Sequence, residues 1–176
     1  MADDFWFPLD RLAPRKIEHV NPGKIFAWPS RRAETGVALA LKLDFPNVTY
    51  VLPLNGWSRH PAGRVVDLSS APAIAWVLSA DIDVETDLRS QRVGGPGGAE
   101  RALDLTLTNE GPVVWVESCR PGAAAELLPF DARTWKFVDA YSNERHEVLR
   151  FGALRLRCKI VGRDDPVLLP MGRHQA

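Results

Sequence analysis

The sequence predicts a mainly β protein, an antiparallel β-barrel or two-sheet β-sandwich with at most two short helices. Three observations carry this. Apolar side chains recur at every second position in several runs, and successive strand side chains point to opposite faces. Clusters of Gly, Pro and Asn cut these runs at short intervals, as hairpin turns do. The intervals leave little room for parallel crossovers, which need a dozen or more residues, usually helical.

Taken in order, the first 22 residues are rich in Pro and charge and read as an irregular arm. "KIFAW" is a short strand. "GVALALKLD" places Val37, Leu39, Leu41 and Leu43 on one face and Ala38, Ala40, Lys42 and Asp44 on the other, a half-buried strand. "VTYVLPLN" is more continuously apolar and reads as interior, with Pro53 placing it near an edge or at a bulge. "RVVDL" follows. "SSAPAIAWVLSA" offers Ser70 as a helix N-cap with Pro72 in the first turn. Its Ile, Trp and Val suit a strand equally, and the strand reading is preferred.

"DIDVETD" as a strand puts Asp81, Asp83, Glu85 and Asp87 on one face. "ALDLTLT" sets Leu103, Leu105 and Leu107 against Asp104, Thr106 and Thr108, and "PVVWVES" reads as an interior strand. "PGAAAELLPFDARTW" has room for one or two helical turns that Pro129 would end. "WKFVDAY" is expected as a further interior strand. "ALRLRCKIV" sets Leu154, Leu156, Cys158 and Ile160 against Arg155, Arg157 and Lys159. The result is nine or ten strands in a single β domain over 23–162, between the arm (1–22) and an irregular tail (163–176). The expected core is Leu39, Leu41, Leu43, Val51, Leu103, Leu105, Leu107, Val114, Val116, Phe137, Leu154, Leu156 and Ile160.

At 176 residues the chain is long enough to bury about 70% of its unfolded surface in one core without staples. Its 22 basic and 22 acidic residues cancel, so no global field draws in nucleic acid or an anionic membrane. Two cysteines do not make a disulfide framework and fit a reducing compartment. "MADDFWFPLD" lacks the basic and apolar regions of a signal peptide. The longest uncharged stretch, Leu68 to Ala80, is too short to span a bilayer. A cytoplasmic location is expected.

Gly94-Gly95-Pro96-Gly97-Gly98 invites comparison with a phosphate cradle. A cradle needs a helix starting directly after the loop and, in P-loops, a Lys-Ser/Thr pair. Neither is present, so the segment reads as a flexible hairpin loop. "DIDVETD" fails as a calcium loop, with Thr86 at the sixth position and Arg92 at the twelfth. The physical reading of this acidic row is pairing with the basic row Arg155, Arg157 and Lys159 across neighbouring strands.

No histidine has metal-ligand spacing, and Cys119 and Cys158 form no C-x-x-C. Neither a metal nor a cofactor is implied. Cys119 with His146 as base has no flanking motif, and no G-x-S-x-G elbow occurs. "VVDLSS" is similar to the D-x-S-x-x-G motif of cyclic-dinucleotide-binding PilZ barrels only at Asp67 and Ser69. The final glycine is missing, the spacing of Arg59 and Arg64 is not R-x-x-x-R, and no function is carried over.

"LNGWSRHPAGR" is the candidate ligand-binding stretch. Trp57, Arg59, His60 and Arg64 cluster on a polar loop, and an exposed Trp beside Arg suits stacking and anion contact. Phe5, Trp6 and Phe7 form an apolar plug that packs on its own domain or inserts into a partner or second copy. The first functional expectation is therefore a non-catalytic binding or assembly module capable of oligomerising. The alternative is a small hydrolase-like or other enzyme whose site is assembled from dispersed groups, with His60 or His146 as base and a carboxylate from Asp81–Asp87. Nucleic-acid binding through Arg155, Arg157 and Lys159 is disfavoured by the zero net charge.

Overall fold

The computed structural model describes residues 11–30, 36–55, 63–68, 74–93, 102–108, 110–118, 125–138, 149–151 and 154–171. Fourteen strands run through them: β1 (Leu12–Lys16), β2 (Ile25–Pro29), β3 (Val37–Lys42), β4 (Tyr50–Pro53), β5 (Arg64–Asp67), β6 (Ile74–Leu78) and β7 (Ala80–Thr86). Then come β8 (Gln91–Val93), β9 (Leu105–Thr108), β10 (Gly111–Ser118), β11 (Glu126–Asp131), β12 (Leu149–Phe151), β13 (Leu154–Ile160) and β14 (Val167–Met171). Short 3-10 turns lie at Ile17–His19 and Leu88–Ser90, and no α-helix occurs among the described residues.

The large sheet has the order β1-β6-β2-β3-β4-β5-β10-β9-β12-β8, with β11 also paired to β10. The second sheet is β14-β13-β7. The large sheet is not closed into a barrel, and the arrangement is consistent with a sandwich. Its strand pairs are antiparallel except β5 with β10, which run parallel at Arg64↔Glu117 and Val65↔Ser118.

Strand alternation divides the interior. Ile25, Leu41, Leu52, Val114 and Phe130 of the large sheet pack in one cluster with Leu156, Cys158 and Leu169 of the small one. Fully burying one such side chain contributes about 1.5–3 kcal/mol. The residues next to them in sequence, Phe26, Ala40 and Val51, belong to a second cluster with Trp28, Ala38, Val66 and Ala75. Ile17 and Val20 close it. β3 is therefore covered on both faces, not half-buried as its alternation suggests. The small side chains of Ala38 and Ala40, both without exposure, let the 17–20 segment and the stacked Phe26–Trp28 pair (5.4 Å) lie close.

Several expectations are corrected. Residues 12–16, assigned to the irregular arm, form β1 along β6, and residues 167–171 of the tail form β14 along β13. The stretch given room for helical turns holds β11, and Pro129 stands opposite Trp115 within it. Among its described residues, 135–138, "WKFVDAY" makes only isolated bridges at Lys136 and Phe137, because Trp135 turns the chain with φ 58°. β4 is an interior strand, and Pro53 is tolerated because it sits at the strand's end. Leu107 is exposed while Thr106 is buried, accepting a hydrogen bond from Trp115 Nε1 at 3.0 Å. One strand period beyond Leu105, the core no longer reaches. Leu39, Leu103 and Phe137 are only partly buried, packed against the first cluster.

The glycine cluster lies outside the described residues. The strands on either side of it are not hairpin partners, because β12 pairs with both β8 and β9. The acidic and basic rows do meet: Arg155 stands opposite Glu85, Arg157 opposite Asp83 and Lys159 opposite Asp81. Arg155 Nη2 reaches Glu85 at 2.8 Å, Arg157 Nη1 reaches Glu85 at 3.1 Å, and Lys159 reaches Asp83 at 2.7 Å.

Candidate functional site

A cleft of about 290 Å³ opens between residues 18–22 and residues 42–45 with Val48. One wall is the 3-10 turn and the loop after it, held down by Ile17 and Val20 in the second cluster. The loop is tied to the end of β3 by backbone bonds: Gly23 N–H donates to Lys42 O at 2.9 Å, and Lys42 N–H to Lys24 O at 3.0 Å. Gly23 has φ 77°, and a Cβ there would stand 3.0 Å from Trp135 Cδ1. The opposite wall is equally fixed. Leu43 N–H bonds Tyr50 O, Asp44 N–H bonds Trp135 O and Phe137 N–H bonds Asp44 O. The Phe45 ring lies 4.8 Å from Tyr50 and 4.7 Å from Phe137.

Lys42 is the unusual group in this wall. It follows Ala38 and Ala40 on the face that packs in the second cluster, and it is only 8% exposed. Its ammonium makes no hydrogen bond and no close ion pair among the described residues. Burial pushes its pKa below the lysine value of 10.5, and the nearby Asp44 carboxylate offsets part of that. Asp44 stands two positions on in extended backbone, so both side chains leave the chain on the same side.

Charges around the cleft are mixed. Glu18 lies 3.8 Å from Lys16 and 3.6 Å from His19, and both of these partners are well exposed. A multiply charged anion would meet Glu18 and Asp44 as well as Lys42. The wall suits a small polar molecule that offers an acceptor to Lys42 and a donor to Asp44. Asn21 adds an amide on the facing side.

Of the residues singled out from sequence, Trp57, Arg59 and His60 lie outside the described residues. Arg64 does not act as a loop residue. It is the first residue of β5, and its Nε donates to Glu117 at 3.0 Å, the residue opposite it in register. Phe5, Trp6 and Phe7 also lie outside, as do Cys119 and His146. Asp83 and Glu85 are engaged by β13, and Asp87 accepts from Arg89 at 3.0 Å. Cys158 is buried, which raises its thiol pKa to about 12. The described residues hold no group of three or more His, Cys, Asp or Glu able to bind a metal. They include no helix long and apolar enough to cross a membrane.

Sequence reasoning passed over Lys42 because alternation assigned it to a solvent face. The available signal was that this face begins with two alanines and carries no polar residue before position 42. A second surface is also notable. Pro14, Trp76, Ala27 and Leu39 form one cross-strand row, and Ile74 and Val37 lie beyond it on the same face. Ile74, Trp76 and Val37 are exposed. The chain matches no protein-family model, no curated protein and no solved structure.

Proposed function

We propose that the protein is a non-catalytic binding module that holds a small polar ligand in the cleft between residues 18–22 and 42–48. The observation that carries this is Lys42, a largely buried side chain on a cleft wall whose ammonium has no bonded counter-charge among the described residues. Partial desolvation of a cation is costly, and the cost is offset when a ligand supplies an acceptor. The walls are held by backbone bonds and aromatic packing, so little ordering is lost on binding. His19 does not supply the base of an enzyme here, since its nearest carboxylate is 3.6 Å away and both groups are in solvent.

The test is an NMR titration of amide-labelled protein with acetamide, acetate and inorganic phosphate. Acetamide should produce saturable shifts at Val20, Asn21, Leu43 and Asp44, phosphate weaker ones, and Lys42→Met should abolish the acetamide response. Cleft amides unmoved by all three probes would overturn the reading.

A second reading, self-assembly, rests on the exposed apolar row around Trp76. This face has the same apolar character as the core-facing rows farther along the same strands, and a second copy of the chain would cover it with matching surface. Light scattering over a concentration series should show association that Trp76→Ser weakens. A monomer at every concentration, for both proteins, rejects it.

A further inference from the structure

We propose that the Lys42 amine captures a small uncharged aldehyde or ketone in this cleft as a reversible imine. The inference rests on the binding reading above and names the ligand class for the same site.

Five lysines are present in the chain: Lys16, Lys24, Lys42, Lys136 and Lys159. Lys16 pairs with Glu18 in solvent, Lys24 donates to Ala80 O at 3.0 Å, and Lys159 is bound to Asp83. Lys136 is exposed. Lys42 alone is buried, unbonded and open to a cavity. Burial favours the uncharged amine, which is the nucleophilic form. The groups around it are Asp44 just past the end of its strand and Glu18 and His19 on the covering turn, with Lys24 and Lys136 on the adjoining segments. The two carboxylates discourage a keto acid and leave a neutral carbonyl compound as the better fit.

The chemistry balances without an oxidant. The amine lone pair attacks the carbonyl carbon, a C–N bond forms, and the carbonyl π pair moves to oxygen, which takes up a proton. The nitrogen of this carbinolamine then expels the hydroxyl, protonated, as water. The C=N bond remains, and the net change is amine plus carbonyl to imine plus water. Solvent in the cleft accepts the proton lost from nitrogen and protonates the departing oxygen.

The experiment uses the whole protein with propanal and cyanoborohydride at neutral pH, followed by peptide mapping of modified lysines. Each pKa unit lost raises the uncharged fraction about tenfold at a pH below that value. Lys42 should accordingly be alkylated faster than any of the other four lysines. Propanal without reductant should shift the Val20 and Leu43 amides. If those shifts appear but Lys136 and Lys159 are alkylated ahead of Lys42, the imine is overturned and the binding reading stands. If neither shifts nor a Lys42 adduct appear, both fall. Lys42→Arg keeps the charge without the nucleophile, and equal alkylation of the 42-bearing peptide in that variant would also refute the assignment.

Discussion

Replacing Lys42 with Met removes the charge and keeps an unbranched chain in the same space. Lys42 is 8% exposed, so folding removes most of the water around its side chain and part of that around its ammonium. Exchanging a buried ion pair for apolar groups of similar volume is often neutral or stabilises by about 1–4 kcal/mol, and a single partly solvated ammonium belongs at the low end of that range. Losing the attraction to Asp44, half in solvent, costs up to about 1 kcal/mol. The net expectation at neutral pH is a gain of up to about 2 kcal/mol, or a Tm higher by up to about 8 °C for a chain of this length. The sign with pH follows from the lowered pKa. Below it, both folded and unfolded chains carry the proton and the burial cost is present in full. Between it and the unfolded value of 10.5 the unfolded chain binds more protons, so the wild type gains stability as pH rises. The advantage of Lys42→Met should therefore shrink towards pH 10.5. Differential scanning calorimetry across this range is the assay. A lower Tm at neutral pH, or a gain that does not change with pH, refutes the reasoning.

Gly23→Ala should destabilise by about 1–3 kcal/mol, from left-handed backbone strain with the new Cβ against Trp135, read as a shift in the urea midpoint. Leu156→Ala, at a fully buried position where the two sheets meet, should cost about 2.5–5 kcal/mol in the same assay, and a cost below 1 kcal/mol would mean the sheets do not share that core. Glu85 should titrate below the carboxylate value of 4.5, because Arg155 hydrogen-bonds it, with Arg157 adding to the effect. Its contribution to stability is complete above 4.5 and is lost as pH falls through the lower folded value; NMR titration of Arg155→Gln should show that value rising. Cys158 should resist a water-soluble thiol reagent in the native protein and react after denaturation, as peptide mapping would show.

Where one face of a strand is buried and the other wet, the pattern was readable. β13 alternates buried Leu154, Leu156, Cys158 and Ile160 with Arg155, Arg157 and Lys159, as its letters indicate. Its pairing with β7 was also legible, because opposite charges in two period-two rows satisfy each other only in neighbouring strands. Alternation misleads where a segment far along the chain covers the second face. Ala38, Ala40 and Lys42 look solvated until Ile17 and Val20 fold over them. Local signals also misjudged proline. Pro129 lacks a donor, yet it fits β11 while its carbonyl accepts from Val138. The cleft was hidden for the same reason as the second cluster. Glu18 and Lys42 come to line one cleft only through tertiary packing, and neither lies in a motif.

The desolvation of Lys42 underlies both the binding and the imine readings, and its own titration measures it. Side-chain NMR on lysine-labelled protein, assigned with Lys42→Arg, follows the Cε and Nζ signals through alkaline pH. Lys42 should lose its proton below 10.5. A Lys42 midpoint at or above 10.5 would contradict a largely buried, unbonded lysine on the cleft wall.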